Sequence, residues 1–413
     1  MGEPSLSGRR VLVVGVNYAP EHSGIAPYTT QACAHFADQG AEVFVLAGVP
    51  HYPHWSTPKE YRGRLFVDEQ HGQVRVRRLR HVVPSTQNAL TRGAYELTFG
   101  CHVLAHTPPW RPDVVVAVVP SLAGATAAVR IARRAAAPLI VWVQDLMGPA
   151  ASQSGIKGGD RISAVTGRLE AYVLCRASMV WVLNESFRRY VAGLGVSGAL
   201  IHVVPNWTHV ARPCADRAAV RARQGWRSDE VIALHSGNMG LKQRLENVVH
   251  AARLAAAEAP HIRFVLMGDG SQRTALQELA ADVPTLSFRS PVADADLSDV
   301  LAAADVLLVN ERATTVDMSL PSKLTSYFRA GTPVVAAVPA SGATARELQR
   351  SGAGIVVEPD HGQALVDGVV RVTADVHLAR TFRKAAVQYS DDYLDAGVAL
   401  SRVSALLRQA VRT

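Results

Sequence analysis

Lys242 stands in Gly237-Asn238-Met239-Gly240-Leu241-Lys242-Gln243, where small residues let the backbone approach a ligand closely. A lysine there is a mobile point charge suited to neutralising a diphosphate without a metal; the other reading is a solvated lysine at a helix start. Leu320-Pro321-Ser322-Lys323-Leu324 opens a helix that Gly331 closes, so its free amides and Lys323 form a second anion site. Asn17-Tyr18-Ala19-Pro20 runs on to Gly24 and Ile25 with a helix opening near Pro27, an anion-favouring loop or an ordinary βα turn. It lacks G-x-G-x-x-G, which disfavours a nicotinamide or flavin dinucleotide. Gly268-Asp269-Gly270 reads as a tight turn, and Arg273 stands where a fingerprint would need its third glycine.

Gln144-Asp145 ends an apolar run, and a carboxylate there either takes a proton, holds sugar hydroxyls or caps the next helix. His51-Tyr52-Pro53-His54-Trp55 offers two histidines three apart but no third ligand, so a substrate-lining loop is preferred to a zinc site. Arg75-Val76-Arg77-Arg78-Leu79-Arg80 alternates as a strand, giving either a solvated face or, with the apolar stretch Leu97 to Trp110, a basic surface for lipid phosphate. Cys33, Cys101, Cys175 and Cys214 form no C-x-x-C pair, so neither zinc nor redox chemistry is signalled and a reducing cytoplasm is expected.

Short β-branched runs alternate with Ala-rich helical stretches and must position these residues. Strands are expected at Val11–Val16, Val43–Ala47, Val74–Arg80, Val114–Val119, Leu139–Val143, Met179–Leu183 and Ile201–Val204, with helices at Tyr28–Gln39 and Ala123–Arg134. The rhythm restarts after Pro205-Asn206-Trp207, followed over Thr208–Ser228 by a linker with a loosely patterned helix. Strands then fall at Val231–His235, Arg263–Met267, Leu286–Phe288, Val306–Asn310, Pro333–Ala337 and Gly354–Val357, with helices at Leu241–Ala257, Ser271–Ala281, Ala295–Ala304 and Ser322–Ala330. Leu378–Val411 is helical by pattern. This is an α/β chain of two doubly wound, Rossmann-like halves, whose ligands belong beyond the carboxyl ends of the strands.

With 413 residues, 48% hydrophobic and 19% charged, the chain is not a disordered one. Its 43 Lys plus Arg against 35 Asp plus Glu leave +8, which favours an anionic partner. The basic residues are not interleaved with aromatics in one stripe, which argues against nucleic acid. The N-terminus has no apolar core of a signal peptide, and no run reaches the roughly 18 apolar residues of a membrane span. A cytoplasmic protein is expected, with any membrane contact peripheral and at the inner face.

Jointly, these segments resemble family 4 glycosyltransferases of the two-Rossmann-domain (GT-B) type over essentially the whole chain, most closely the colanic acid biosynthesis WcaI-like subgroup. The likeness rests on Asn17-Tyr18-Ala19-Pro20 with Gly24-Ile25, His51-Tyr52-Pro53, Val143-Gln144-Asp145-Leu146, Pro205-Asn206-Trp207, Ser236 to Gln243, Gly268-Asp269-Gly270 and Pro321-Ser322-Lys323-Leu324. It implies two facing domains, 1–206 for the acceptor and 207–385 for the nucleotide sugar, with 386–413 a helix crossing back to the first. It also implies retaining, metal-free transfer from a nucleoside diphosphate sugar, UDP favoured over GDP and no further cofactor, to a lipid-linked saccharide or a secondary-metabolite acceptor. By carry-over Asp145 and Lys242 are the catalytic candidates. Gly24, Ile25, Gln144, Asn238, Lys242, Arg244, Gly268, Asp317, Ser322 and Lys323 would meet the donor, and Tyr18, His51, Tyr52 and Trp55 the acceptor.

The chain departs from the family pattern in two places. The E-x7-E carboxylates fall at Met318 and Ser326, leaving Asp317 as a substitute for the first, and the usual phosphate arginine falls at Asn238, leaving Arg244 as its replacement. Two further readings stay open: a sugar-nucleotide epimerase of the same fold, and a non-catalytic scaffold or partner subunit derived from it.

Overall fold

A strand covered by helices on both faces must be apolar throughout, and residues 114–119 (VVVAVV) and 139–143 (LIVWV) meet that demand with every side chain buried. The computed structural model describes residues 6–21, 24–52, 55–85, 89–147, 159–208, 210–314 and 323–412. They fall into two units, 1–206 with 397–413 and 207–396.

The first unit runs β1 (Arg10–Val14), α1 (Ala26–Asp38), β2 (Glu42–Gly48), β3 (Phe66–His71), β4 (Val74–Leu79), α2 (Ala89–Ala105), β5 (Val114–Val119), α3 (Leu122–Ala135), β6 (Leu139–Val143), α4 (Gly159–Leu174), β7 (Met179–Val182), α5 (Glu185–Gly193) and β8 (Ile201–Val203). The sheet order is β3-β4-β2-β1-β5-β6-β7-β8, parallel except for β3. Strand β3 was not expected. Its polar, alternating residues read as loop, and the signal for it is a hairpin turn with Gly72 at φ +58°.

That hairpin corrects the reading of β4 as a basic surface. Arg75 pairs with Glu42, Arg77 with Asp68 at 2.6 Å, and Arg78, wholly buried, with Glu69 at 3.0 Å and with the Ala19 carbonyl. Their charges are neutralised within the sheet rather than presented as a free strip.

The second unit holds α6 (Arg217–Gln224), β9 (Val231–Ser236), α7 (Glu246–Glu258), β10 (Ile262–Met267), α8 (Arg273–Leu279), β11 (Leu286–Arg289), α9 (Asp294–Ala303), β12 (Val306–Asn310), α10 (Lys323–Ala330), β13 (Val334–Ala337), α11 (Ala343–Ser351), β14 (Gly354–Val357), α12 (Gly362–Ala374) and α13 (Val376–Tyr393). Its order is β11-β10-β9-β12-β13-β14. Leu307 and Val309 of β12 enter one core and Val306 and Leu308 the other, so helices cover both faces.

The helix expected over Leu241–Ala257 is broken. A 3-10 turn, Leu241–Gln243, ends at Arg244 with φ +46°, and α7 starts only at Glu246. Buried Asn310 causes the break, because its amide donates to the Gln243 and Arg244 carbonyls at 2.8 Å each while Asn247 donates back at 2.9 Å. The C-terminal segment is also two helices. Phe328 holds α13 to α10 through Tyr389, ring centroids 5.4 Å apart, and α14 (Ala396–Arg412) joins the first unit from residue 397 rather than 386.

Candidate functional site

In the second unit the chain winds outward from β9 through β10 to β11, then returns to β12 on the other side of β9. That reversal leaves a crevice beyond the carboxyl ends of β9 and β12, where open α/β sheets take ligands. Gly237 sits there at φ +130° and Gly268 at φ +145°. A Cβ on Gly268 would lie 1.9 Å from the Gly237 carbonyl oxygen, so the two loops touch backbone to backbone and admit no side chain. Asn238 is exposed on the same loop, its Oδ1 2.5 Å from where a Cβ on Gly270 would stand.

Lys323, half-buried as the first residue of α10, brings its Nζ to 3.3 Å from Nε2 of His235 and 3.7 Å from the Cβ position over Gly237. Burial pushes its pKa down to about 8, and the charge of Glu311 partly restores it. His235, wholly buried, is held well below the ordinary histidine range by burial and then by the Lys323 charge, so it stays neutral. Tyr327 fixes the end of β9 by accepting the Ser236 amide at 2.9 Å. Neither His235 nor Glu311 was singled out in the sequence, because a strand histidine and a strand-end glutamate have no spacing signature.

Lys242 is exposed on the 3-10 turn, whose carbonyl accepts the Arg312 amide at 3.2 Å. Arg244 is turned to other carboxylates, Asp360 at 3.0 Å and Glu246 at 3.5 Å, which counts against it as the replacement phosphate arginine. Ser326 is buried on α10. Asp317, Met318 and Ser322 lie outside the described residues.

The first unit reverses in the same way between β1 and β5. Buried Glu21 stitches the loop after β1 to the loop after β2, accepting the His51 and Tyr52 amides at 2.9 Å each and the Asn17 side chain at 2.8 Å. Gly24 at φ +67° lies under the Tyr52 ring, and Ile25 caps α1 without a side-chain hydrogen bond. The start of α3 is already taken by the Glu96 carboxyl group, which accepts Ser121 Oγ at 2.9 Å and the Ala123 amide at 3.1 Å. Buried Gln144 exchanges hydrogen bonds of 3.1 and 2.9 Å with Asn206, tying β6 to the segment after β8, with Asp145 half-buried beside it.

Two acceptor candidates turn out to be packing residues. Tyr18 is buried against His71 and Arg78, and His51 is buried with Nδ1 on the Val49 carbonyl at 2.9 Å and Nε2 3.3 Å from the Tyr95 hydroxyl. Tyr52 and Trp55 keep exposed surface, with Arg92 over the Trp55 ring at 5.9 Å. Arg92 and Tyr95, three apart on α2, were not singled out in the sequence, because nothing in it ties them to the distant Trp55. Among the described residues no three His, Cys, Asp or Glu side chains gather as a metal site.

Residues 23–207 match the model of the Glycosyl transferase 4-like domain, and residues 230–375 that of Glycosyl transferases group 1. The chain belongs to the glycosyltransferases. As the sequence led one to expect, this glycosyltransferase is 29% identical over 374 residues, 87% of the chain and 91% of the relative, to a protein of Escherichia coli (strain K12) named as a colanic acid biosynthesis glycosyl transferase, WcaI. Its fold is that of sucrose-phosphate synthase from Thermosynechococcus elongatus, with TM-score 0.73, 17% identity and coverage of 97% and 98% of the two chains. HepE from Anabaena, solved with UDP-glucose, matches with TM-score 0.68 at 17% identity, covering 97% and 99%. The expected GT-B architecture is therefore the observed one.

Proposed function

We propose that this glycosyltransferase takes a sugar from a nucleoside diphosphate, UDP in preference to GDP, and passes it with retention and without a metal to a lipid-linked saccharide or a secondary-metabolite acceptor. The observation that carries the donor reading is the crevice at β9 and β12. Backbone is bare there at Gly237, and the Lys323 amine shares one end of α10 with that helix's N-terminal amides. HepE, a protein of this fold, was crystallised with UDP-glucose, which supports a UDP-sugar.

In the proposed reaction the bond from the sugar C1 to the diphosphate breaks, and the acceptor oxygen bonds to C1 on the same face. The acceptor's proton passes to the departing phosphate oxygen, so no enzymic nucleophile is required. Lys242 and Lys323 would stabilise the charge growing on the diphosphate more in the transition state than in the ground state, and Asp145 would hold a donor hydroxyl. The acceptor reading places the protein at the inner face of the cytoplasmic membrane.

Calorimetry with UDP and GDP in EDTA, followed by mass spectrometry of products formed from a panel of UDP- and GDP-sugars with membrane extract, tests this. UDP binding and a glycosylated lipid are expected. Absence of any nucleotide binding would instead favour the scaffold, and a free epimerised sugar nucleotide formed without acceptor would favour the epimerase.

A further inference from the structure

A cavity of about 480 Å³ opens on the first unit where β2 and β4 end, on the side of β1 away from β5. His81 lines it and is only 6% exposed. Its Nδ1 lies 3.2 Å from the Leu79 carbonyl, which can only accept, so Nδ1 carries the hydrogen. Burial, with His51 and His102 nearby, holds the ring neutral, its pKa pushed down to about 3. Nε2 is therefore a bare lone pair, buried and without a partner among the described residues. An acceptor left unpaired in this way destabilises the fold, and a ligand hydroxyl would remove that penalty.

Two guanidinium groups line the same cavity. Arg62, its Nε set on the Thr57 carbonyl at 3.1 Å, and Arg80 both line the cavity. His102, a further lining residue, has its pKa lowered by burial, by His106 and by the Arg80 charge, and its Nδ1 is also unpartnered. Leu65 and Val82 give the lining an apolar part that stays 59% and 42% exposed.

We propose that this cavity binds a sugar phosphate, the guanidinium groups of Arg62 and Arg80 on the phosphate and Nε2 of His81 accepting a sugar hydroxyl, with Leu65 and Val82 receiving the hydrocarbon that carries the phosphate. The cavity then holds the acceptor, and in that respect it rests on the lipid-linked reading above.

Calorimetry tests this with glucose 1-phosphate, inorganic phosphate, and phosphatidylcholine vesicles bearing a polyprenyl phosphoglucose, with UDP titrated in parallel. The vesicle-borne ester should bind more tightly than glucose 1-phosphate. Both should weaken at least about tenfold in the Arg62→Ala/Arg80→Ala variant while UDP binding is unchanged. His81→Phe should weaken glucose 1-phosphate and leave inorganic phosphate as it was. Binding of UDP but of neither sugar phosphate overturns the proposal, as does equal binding of inorganic phosphate with no effect of His81→Phe, which means an adventitious anion only. Binding of glucose 1-phosphate but not of the vesicles overturns the lipid source. Sugar-phosphate binding without UDP binding sinks the donor reading and leaves this one standing.

Discussion

At Lys323 burial and ligand charge act in opposite directions, and pH separates them. Its ammonium gives up a proton at about pH 8 in the free protein, so UDP affinity should fall as pH rises through 8, and Lys323→Met should remove that step from a calorimetric pH series. Stability should move the other way. Between about pH 8 and the unfolded value near 10.4 the unfolded chain binds more protons, so wild-type stability to urea should rise across that window relative to Lys323→Met. Lys242 is exposed, and Lys242→Ala should abolish most transfer with an unchanged Tm; near-normal kcat/KM would sink its role. Gly268→Ala must displace the Gly237 carbonyl from 1.9 Å at a positive φ, so a loss of about 2 kcal/mol or more, together with UDP binding, is expected in denaturation and calorimetry.

The β3–β4 hairpin shows what an element does that its residues do not announce. Arg78 has no exposed side-chain surface and its charge is met by half-buried Glu69 and the Ala19 carbonyl, so Arg78→Ala empties a buried site, breaks that ion pair and should cost about 3 kcal/mol. Arg75 and Glu42 are roughly half-exposed, and Arg75→Ala should cost under about 1 kcal/mol. Urea denaturation of the two variants checks the contrast, and equal losses would refute it. The alternation of arginines was visible in the sequence. Their carboxylate partners came from β2 and from a strand that reads as polar loop, so whether the charge was free or spent was not visible.

At the scale of the whole molecule, α14 completes the first unit after the chain has built the second. It buries Ala399, Val403, Leu407 and Ala410, and Arg408 donates to Gln39 at 3.1 Å. Deleting residues 397–413 should remove about 5 kcal/mol of apolar burial and lower the Tm of the first unit, followed by calorimetric unfolding; an unchanged Tm would show that the helix adds nothing. The sequence by itself determined the two doubly wound halves, the restart after Asn206 and the glycosyltransferase motifs, because apolar period and the residues beside strand ends are local properties. Tertiary structure decided the rest. Only the strand order sets β9 beside β12, which puts Lys323 against His235, 88 residues away. Only the arrival of Asn310 breaks the helix that Leu241–Ala257 would otherwise propagate, and only folding buries Tyr18 and His51 while leaving Tyr52 at the surface. Each of these outcomes depends on groups distant in sequence competing for one hydrogen bond or one patch of core, and no window of the chain contains both competitors.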